Sequence, residues 1–259
     1  MVDFLLSLST WSGCIISMGF TAVVGFVVYL VFYKFILKYK REPMQDSTSN
    51  LFRVVGMLVS LMLALAFSEV IVQMRTIRNA IQRETVAISD ISVGLKLFDI
   101  ERTREIQIIL IDYVQAVIDD DRPALADDKL GQRAGALKMQ LAEGVLNLKP
   151  ATTNQEKILS YILTDIDELS DYRVVRLDAA LANPPVYIYV IMFGFLVTMA
   201  CFGVYRPQTP LIVLVTLYTL FVGLVLYLVL AMSDPFQGSF GVEPVSFEYL
   251  VETLQSEIK

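Results

Sequence analysis

The chain has 259 residues, a formal net charge of −6, no histidine and 55% hydrophobic residues. Soluble domains hold roughly 45–50% apolar residues, so the excess points to a bilayer. The acidic balance argues against nucleic acid, which needs a basic stripe. Without histidine there is no imidazole metal ligand, near-neutral proton shuttle or Ser-His-Asp site.

The first apolar block, residues 13–33, carries no charge. A helix of that length spans about 31 Å at about 1.5 Å per residue, enough for a hydrocarbon core. Only Asp3 is charged before it, and basic residues follow it. That order predicts an uncleaved anchor rather than a signal peptide. With the basic loop, this anchor makes up residues 1–53. Lys34, Lys38, Lys40 and Arg41 follow the block, with Arg53 beyond. By the positive-inside rule they predict a cytoplasmic first loop and an extracytoplasmic central domain, against the opposing pull of Arg75, Arg78, Arg83, Arg173 and Arg176, which flank that domain.

The second block, residues 54–74, has Glu69 near its far end. A carboxylate there is costly unless paired, hydrated or protonated, which makes Glu69 a candidate for an ion path. Pairing with Arg75 or a lipid headgroup is the structural alternative. Gly56, Ser60 and Phe67 fall roughly on one helical face, and Glu69 falls on another with Leu58, Met62 and Leu65. Small residues at 56 and 60 suit close helix approach or a narrow pore with apolar rungs.

Residues 75–183 predict a water-exposed domain of several amphipathic helices, because apolar residues recur at helical spacing. One stripe is Ile77, Ile81, Ile88, Ile91 and Leu95. A second holds Ile106, Ile109, Leu110, Tyr113, Val117 and Ile118. A third is Ile158, Tyr161, Ile162, Asp165 and Leu169. Breaks are expected near Asp99, at 119–123 and at 147–153. The acidic runs 119–121 and 127–128 read as solvated turns, or as oxygen ligands for a divalent cation.

Residues 184–233 hold two further spans, 186–205 after Pro184-Pro185 and 211–233, joined by a short Arg206–Pro210 link. The tail, 234–259, is a turn-rich exit followed by an amphipathic helix. Ser246 is its expected cap, and Phe247, Leu250, Val251, Leu254 and Ile258 share a face. The expected architecture is therefore all-α: four transmembrane helices in two pairs, with a helical bundle inserted between spans two and three. Cys14 and Cys201 fall inside apolar blocks and read as small buried hydrophobes.

The tail SDPFQGSFGVEPVSFEYL resembles the D-x-P-F-x-G-x-x-x-V-x-P-x-x-F signature of the bestrophin-like family of bacterial membrane proteins. The match places Asp234, Pro235, Phe236 and Gly238 in a structural turn motif. TIRNAIQRETVAISDI and LIDYVQAVIDDDRPAL are similar to helices of that family. The family's acidic turn often carries Glu-Trp-Pro where this chain has Asp121-Arg122-Pro123. The resemblance implies two spans, a helical insert and two spans, in the plasma membrane of a bacterium. It also implies remote kinship with the oligomeric bestrophin anion channels.

No phosphate-binding loop, dinucleotide fingerprint, zinc spacing or catalytic constellation is present. The sequence therefore predicts neither an enzyme nor a cofactor or bound metal. Its expected partners are the lipid bilayer, copies of itself and inorganic ions. The leading expectation is an oligomeric ion channel with the second span lining the pore. The alternatives are a membrane-anchored sensor or scaffold and a stator-like energy-coupling subunit.

Overall fold

The computed structural model describes residues 10–36, 42–99, 101–126, 129–181, 187–233, 236 and 245–258, with the side chains of 42–47, 257 and 258 set aside. Several expectations lie outside the described residues: Asp234, Pro235 and Gly238 of the turn motif, Pro184-Pro185, part of the basic loop, and Asp127-Asp128. All regular structure among the described residues is helical. In chain order the helices are α1 (Thr10–Ile36), α2 (Glu42–Asp99), α3 (Arg104–Ala116), a π-helical turn (Val117–Asp121), α4 (Arg122–Ala126), α5 (Arg133–Leu146), α6 (Thr153–Ala180), α7 (Tyr187–Phe202), α8 (Thr209–Ser233) and α9 (Val245–Ile258). The chain divides into two compact units, Met1–Val72 with Asn183–Phe240 and Gln73–Ala182 with Gly241–Lys259.

The first unit contains the apolar helices. Among the described residues, three helices are long and apolar enough to cross a membrane: Thr10–Ile36, Thr48–Asp99 and Thr209–Ser233. The helix within the expected third span, α7, is shorter, at 16 residues. Its last turn tightens: the N–H groups of Gly203, Val204 and Tyr205 donate to the carbonyls three residues back, a usual way to close a helix end.

Small residues let these helices approach closely, as between helices in lipid. A Cβ on Gly223 of α8 would run into Met18 and Thr21 of α1, and the Ser17 hydroxyl donates to the Gly223 carbonyl at 3.1 Å. A Cβ on Gly194 of α7 would overlap the Val59 side chain of α2. That contact seats Val59, Ala66 and Val70 of α2 against Ile188, Ile191 and Val229.

The second unit is an amphipathic bundle. The stripe on α2 is buried at Ile77, Ile81, Ile88, Ile91 and Leu95. Asp99 ends α2 by accepting from the N–H groups of Glu101 and Arg102. The Thr103 hydroxyl returns to the carbonyls of Leu95 and Asp99. The expected break at 119–123 is instead a widened π turn that flows into α4. Pro123 sits in the first turn of α4, where its missing N–H costs nothing.

Helix α6 begins where expected, because the Thr152 hydroxyl accepts from the Gln155 N–H at 3.2 Å. Its buried stripe is rotated from the expected one. Ile162, Ile166 and Leu169 are buried, whereas Tyr161 is 71% exposed and Asp165 is half-buried. Helix α9 starts at Val245, so Ser246 lies within it rather than at its cap. It buries Phe247, Leu250, Val251 and Leu254, and it packs on α3.

Candidate functional site

Two features carry the chemistry, one in each unit. In the first unit it is the unpacked face of α2. The exposed side chains along the bodies of α1, α7 and α8 are large and apolar, such as Phe20, Val27, Phe193, Leu217 and Phe221, which suits lipid. The exposed surface of α2 is mixed: it includes Arg53, Ser60, Ser68 and Glu69 among Leu58, Leu65 and Phe67.

The structure places the sequence candidates on this surface without bringing them to one point. A Cβ on Gly56 would meet no atom within 4 Å, so the chain's own packing does not use its smallness. Ser60 is exposed, and its hydroxyl returns to the Gly56 carbonyl at 2.8 Å. Phe67 and Glu69 are exposed, and Glu69 has no ion pair among the described residues. At about 100° per residue, Glu69 projects roughly 180° from Ser60 and about 160° from Phe67. Gly56, Ser60 and Phe67 therefore form one edge of the exposed arc and Glu69 the other.

The second unit holds a buried ion network; its centre, Glu84, was not singled out in the sequence, where Asp121 read as part of an acidic turn and Tyr113 as part of an apolar stripe. Glu84 of α2 is fully buried and lies among the apolar residues of its stripe. The Arg176 guanidinium of α6, 2% exposed, donates to Glu84 through Nε at 2.7 Å and Nη2 at 3.2 Å. The same Nη2 reaches Asp121 Oδ2 at 3.2 Å. Arg173, one turn earlier on α6, donates to both Asp121 oxygens at 3.0 Å. The Tyr113 hydroxyl of α3 donates to Glu84 Oε1 at 2.7 Å, and the Phe247 ring of α9 lies 5.9 Å from the Arg176 guanidinium carbon. Two carboxylates and two guanidiniums balance in formal charge, the condition under which buried charges persist.

The electrostatics follow the geometry. Burial alone would lower the Arg176 pKa, but the Glu84 carboxylate beside it raises it above the ordinary arginine value. Burial, together with the charge of Glu84, pushes the Tyr113 phenol well above its usual 10.0. At neutral pH Tyr113 is thus a donor and Arg176 a cation.

The π turn sorts the acidic triplet into three roles. Asp119 is exposed and accepts from Gln115. Asp120 accepts from the Arg133 N–H at 2.9 Å, which places a carboxylate at the start of α5, where the helix dipole favours it. Asp121 turns inward to the arginines. Gly131 must be glycine here, because a Cβ would overlap the Asp120 and Asp121 carboxylates. The reading of 119–121 as a solvated turn therefore holds for Asp119 and is corrected for Asp121. The arginines occupy the Asp121 oxygens that a cation would need, and no cluster of metal-ligating side chains occurs among the described residues.

A bundle of apolar membrane-crossing helices joined to an amphipathic helical unit defines an integral membrane protein. The chain belongs to the bestrophin-like domain family, whose model matches residues 19–247. Among solved structures it is similar to a bacterial bestrophin homologue from Klebsiella pneumoniae. One variant matches at TM-score 0.66 and 12% identity over 93% of this chain and 97% of that one. Another matches at 0.64 and 12% over 95% and 98%. A further solved membrane protein matches at TM-score 0.67 and 12% identity over 95% and 99% of the two chains. At such identity the likeness establishes the fold. No curated protein matches the chain.

Proposed function

We propose that the protein is the subunit of an oligomeric ion channel of bestrophin type in a bacterial plasma membrane. Each subunit contributes four spans, with residues 75–183 as the water-exposed bundle between the second and third. The central domain lies on the extracytoplasmic side, in keeping with the basic first loop. One small four-helix unit leaves no room for a water-filled path, so the pore requires several copies around an axis.

The mixed surface of α2 carries this reading. The bodies of the other spans expose mainly large apolar side chains suited to lipid, whereas α2 leaves small, hydroxylated and charged side chains unpacked. The edge with Gly56, Ser60 and Phe67 lines the conduction path, and its apolar rungs suit gating by dewetting; exposed Arg53 projects from the same edge, about 20° from Ser60, near the start of the span. Glu69 then lies off the axis, toward a neighbouring subunit or the headgroups. This removes the conflict between a carboxylate ring, which repels anions, and kinship with anion channels. The likeness of the fold to a bacterial bestrophin homologue supports the bestrophin type of the subunit.

The test is flux through purified protein in liposomes under chloride and potassium gradients. Phe67→Ala is expected to change flux strongly and Glu69→Gln to change it little. The reverse pattern would put Glu69 on the axis and overturn this placement. If folded oligomeric protein carries neither ion, a sensor or scaffold replaces the channel.

A further inference from the structure

We propose that the first unit binds an anionic phospholipid at the end where α1 and α7 finish and α8 begins. The acyl chain enters an apolar cavity there and the headgroup is held by Arg53 and Arg206. The cavity has a volume of about 200 Å³ and is lined by Ser49, Phe52, Cys201, Phe202, Tyr205 and Leu211. That is below the roughly 300–1,000 Å³ of a small-molecule site and suits a segment of hydrocarbon chain. Aromatic rings form part of its wall: those of Phe52 and Phe202 meet edge to face at 5.1 Å, and Phe202 lies 6.2 Å from Tyr218. Free phosphate or a sugar would gain nothing from such a wall.

The charge is a separate observation. Arg53 directly follows Phe52 and Arg206 directly follows Tyr205, so the backbones of both arginines adjoin residues that line the cavity, within reach of a long side chain. Both are exposed, and neither has an ion pair among the described residues. The end of α1 is drawn to the same place. The Tyr29 hydroxyl donates to the Tyr205 carbonyl at 3.3 Å, and Gly203 abuts Phe32 and Tyr33. Exposed Lys34 in the last turn of α1 thus adds a third cation. All of this lies where apolar helices end, the depth of the headgroups, where tyrosine rings and basic side chains favour the interface. An apolar slot with cations at its mouth matches a phosphodiester that carries net negative charge. A zwitterionic headgroup brings its own cation against the same arginines.

Because Arg53 shares the α2 edge assigned to the conduction path, the proposal is tested by binding rather than by flux. Trp11, the single tryptophan, is at the opposite end of α1. A chain with Trp11→Phe and Leu211→Trp therefore reports on the cavity. In phosphatidylcholine vesicles it is titrated with phosphatidylglycerol or phosphatidylcholine brominated on the acyl chains. Quenching by the anionic lipid at much lower mole fraction is expected. Arg53→Gln with Arg206→Gln should weaken that preference on the order of tenfold, from the attraction of two basic residues to anionic headgroups. Equal quenching by the two lipids, or a preference unchanged by the arginine substitutions, overturns the proposal. Native mass spectrometry of the unaltered chain gives an independent reading. Phosphatidylglycerol should remain bound where phosphatidylcholine is lost. Displacement by soluble glycerol phosphate would reveal a headgroup-only anion site and overturn the role of the cavity.

Discussion

Replacing Arg176 with Met removes one positive charge from a network whose formal charges otherwise cancel, and nothing nearby can replace it. Glu84 and Asp121 are both fully buried. After the substitution Glu84 keeps only the Tyr113 hydroxyl, and Asp121 keeps only Arg173. A buried carboxylate left without its cation costs about 3–5 kcal/mol. For a unit of this size that corresponds to an apparent Tm lower by on the order of 10–20 °C. Glu84→Gln is the informative companion. It removes one charge-assisted pair, about 1.5–3 kcal/mol, but leaves Arg176 bonded to Asp121 at 3.2 Å. The double variant Glu84→Gln, Arg176→Met should be less destabilised than the sum of the two, with a coupling of about 0.5–3 kcal/mol. Thermal unfolding of the detergent-solubilised protein, followed by circular dichroism, measures all three. If Arg176→Met shifts stability by less than about 1 kcal/mol, well below the cost expected for an unpaired buried charge, then the network does not hold the second unit together and the reasoning fails.

Three more outcomes follow from single contacts. Gly194→Ala should cost about 1–3 kcal/mol by overpacking against Val59, and Val59→Ala in the same chain should restore much of the loss; unfolding of the paired variants checks it. Phe247→Ala removes a 3% exposed ring and should cost about 3–5 kcal/mol, releasing α9 to protease cleavage before the rest of the second unit opens. Burial, with Asp90 and Glu168 nearby, raises the Asp165 carboxyl above its usual value. The folded state thus holds that proton more tightly than the unfolded chain, and stability falls as pH rises through the window between the two pKa values. Asp165→Asn should therefore raise Tm modestly at neutral pH, and the gain should vanish below the carboxylate range in a pH series of melts.

The sequence by itself carried the class of the protein. Uncharged runs such as 13–33 and 211–233 have one stable environment, because a helix that is apolar all round must be buried in lipid or protein. The stripe from Ile77 to Leu95 and the break at 147–153 were legible because period and turn chemistry are local. The tail signature was enough to suggest the family. Parts of the ion network were also visible: Glu84 fills the gap between Ile81 and Ile88 on an apolar stripe, and Arg176 follows Leu169 by seven residues, on the same helical face. What the sequence could not show is that these two charges meet, since they are 92 positions apart. Nor could it show that the π turn sends Asp121 inward while leaving Asp119 in water, because one extra residue per turn redirects a side chain without altering composition. The rotation of the α6 stripe away from Tyr161 was decided the same way, by which neighbours the helix meets. Local pattern fixes how each helix is built; the choice of buried charge depends on contacts between distant segments, and those exist only once the chain has folded.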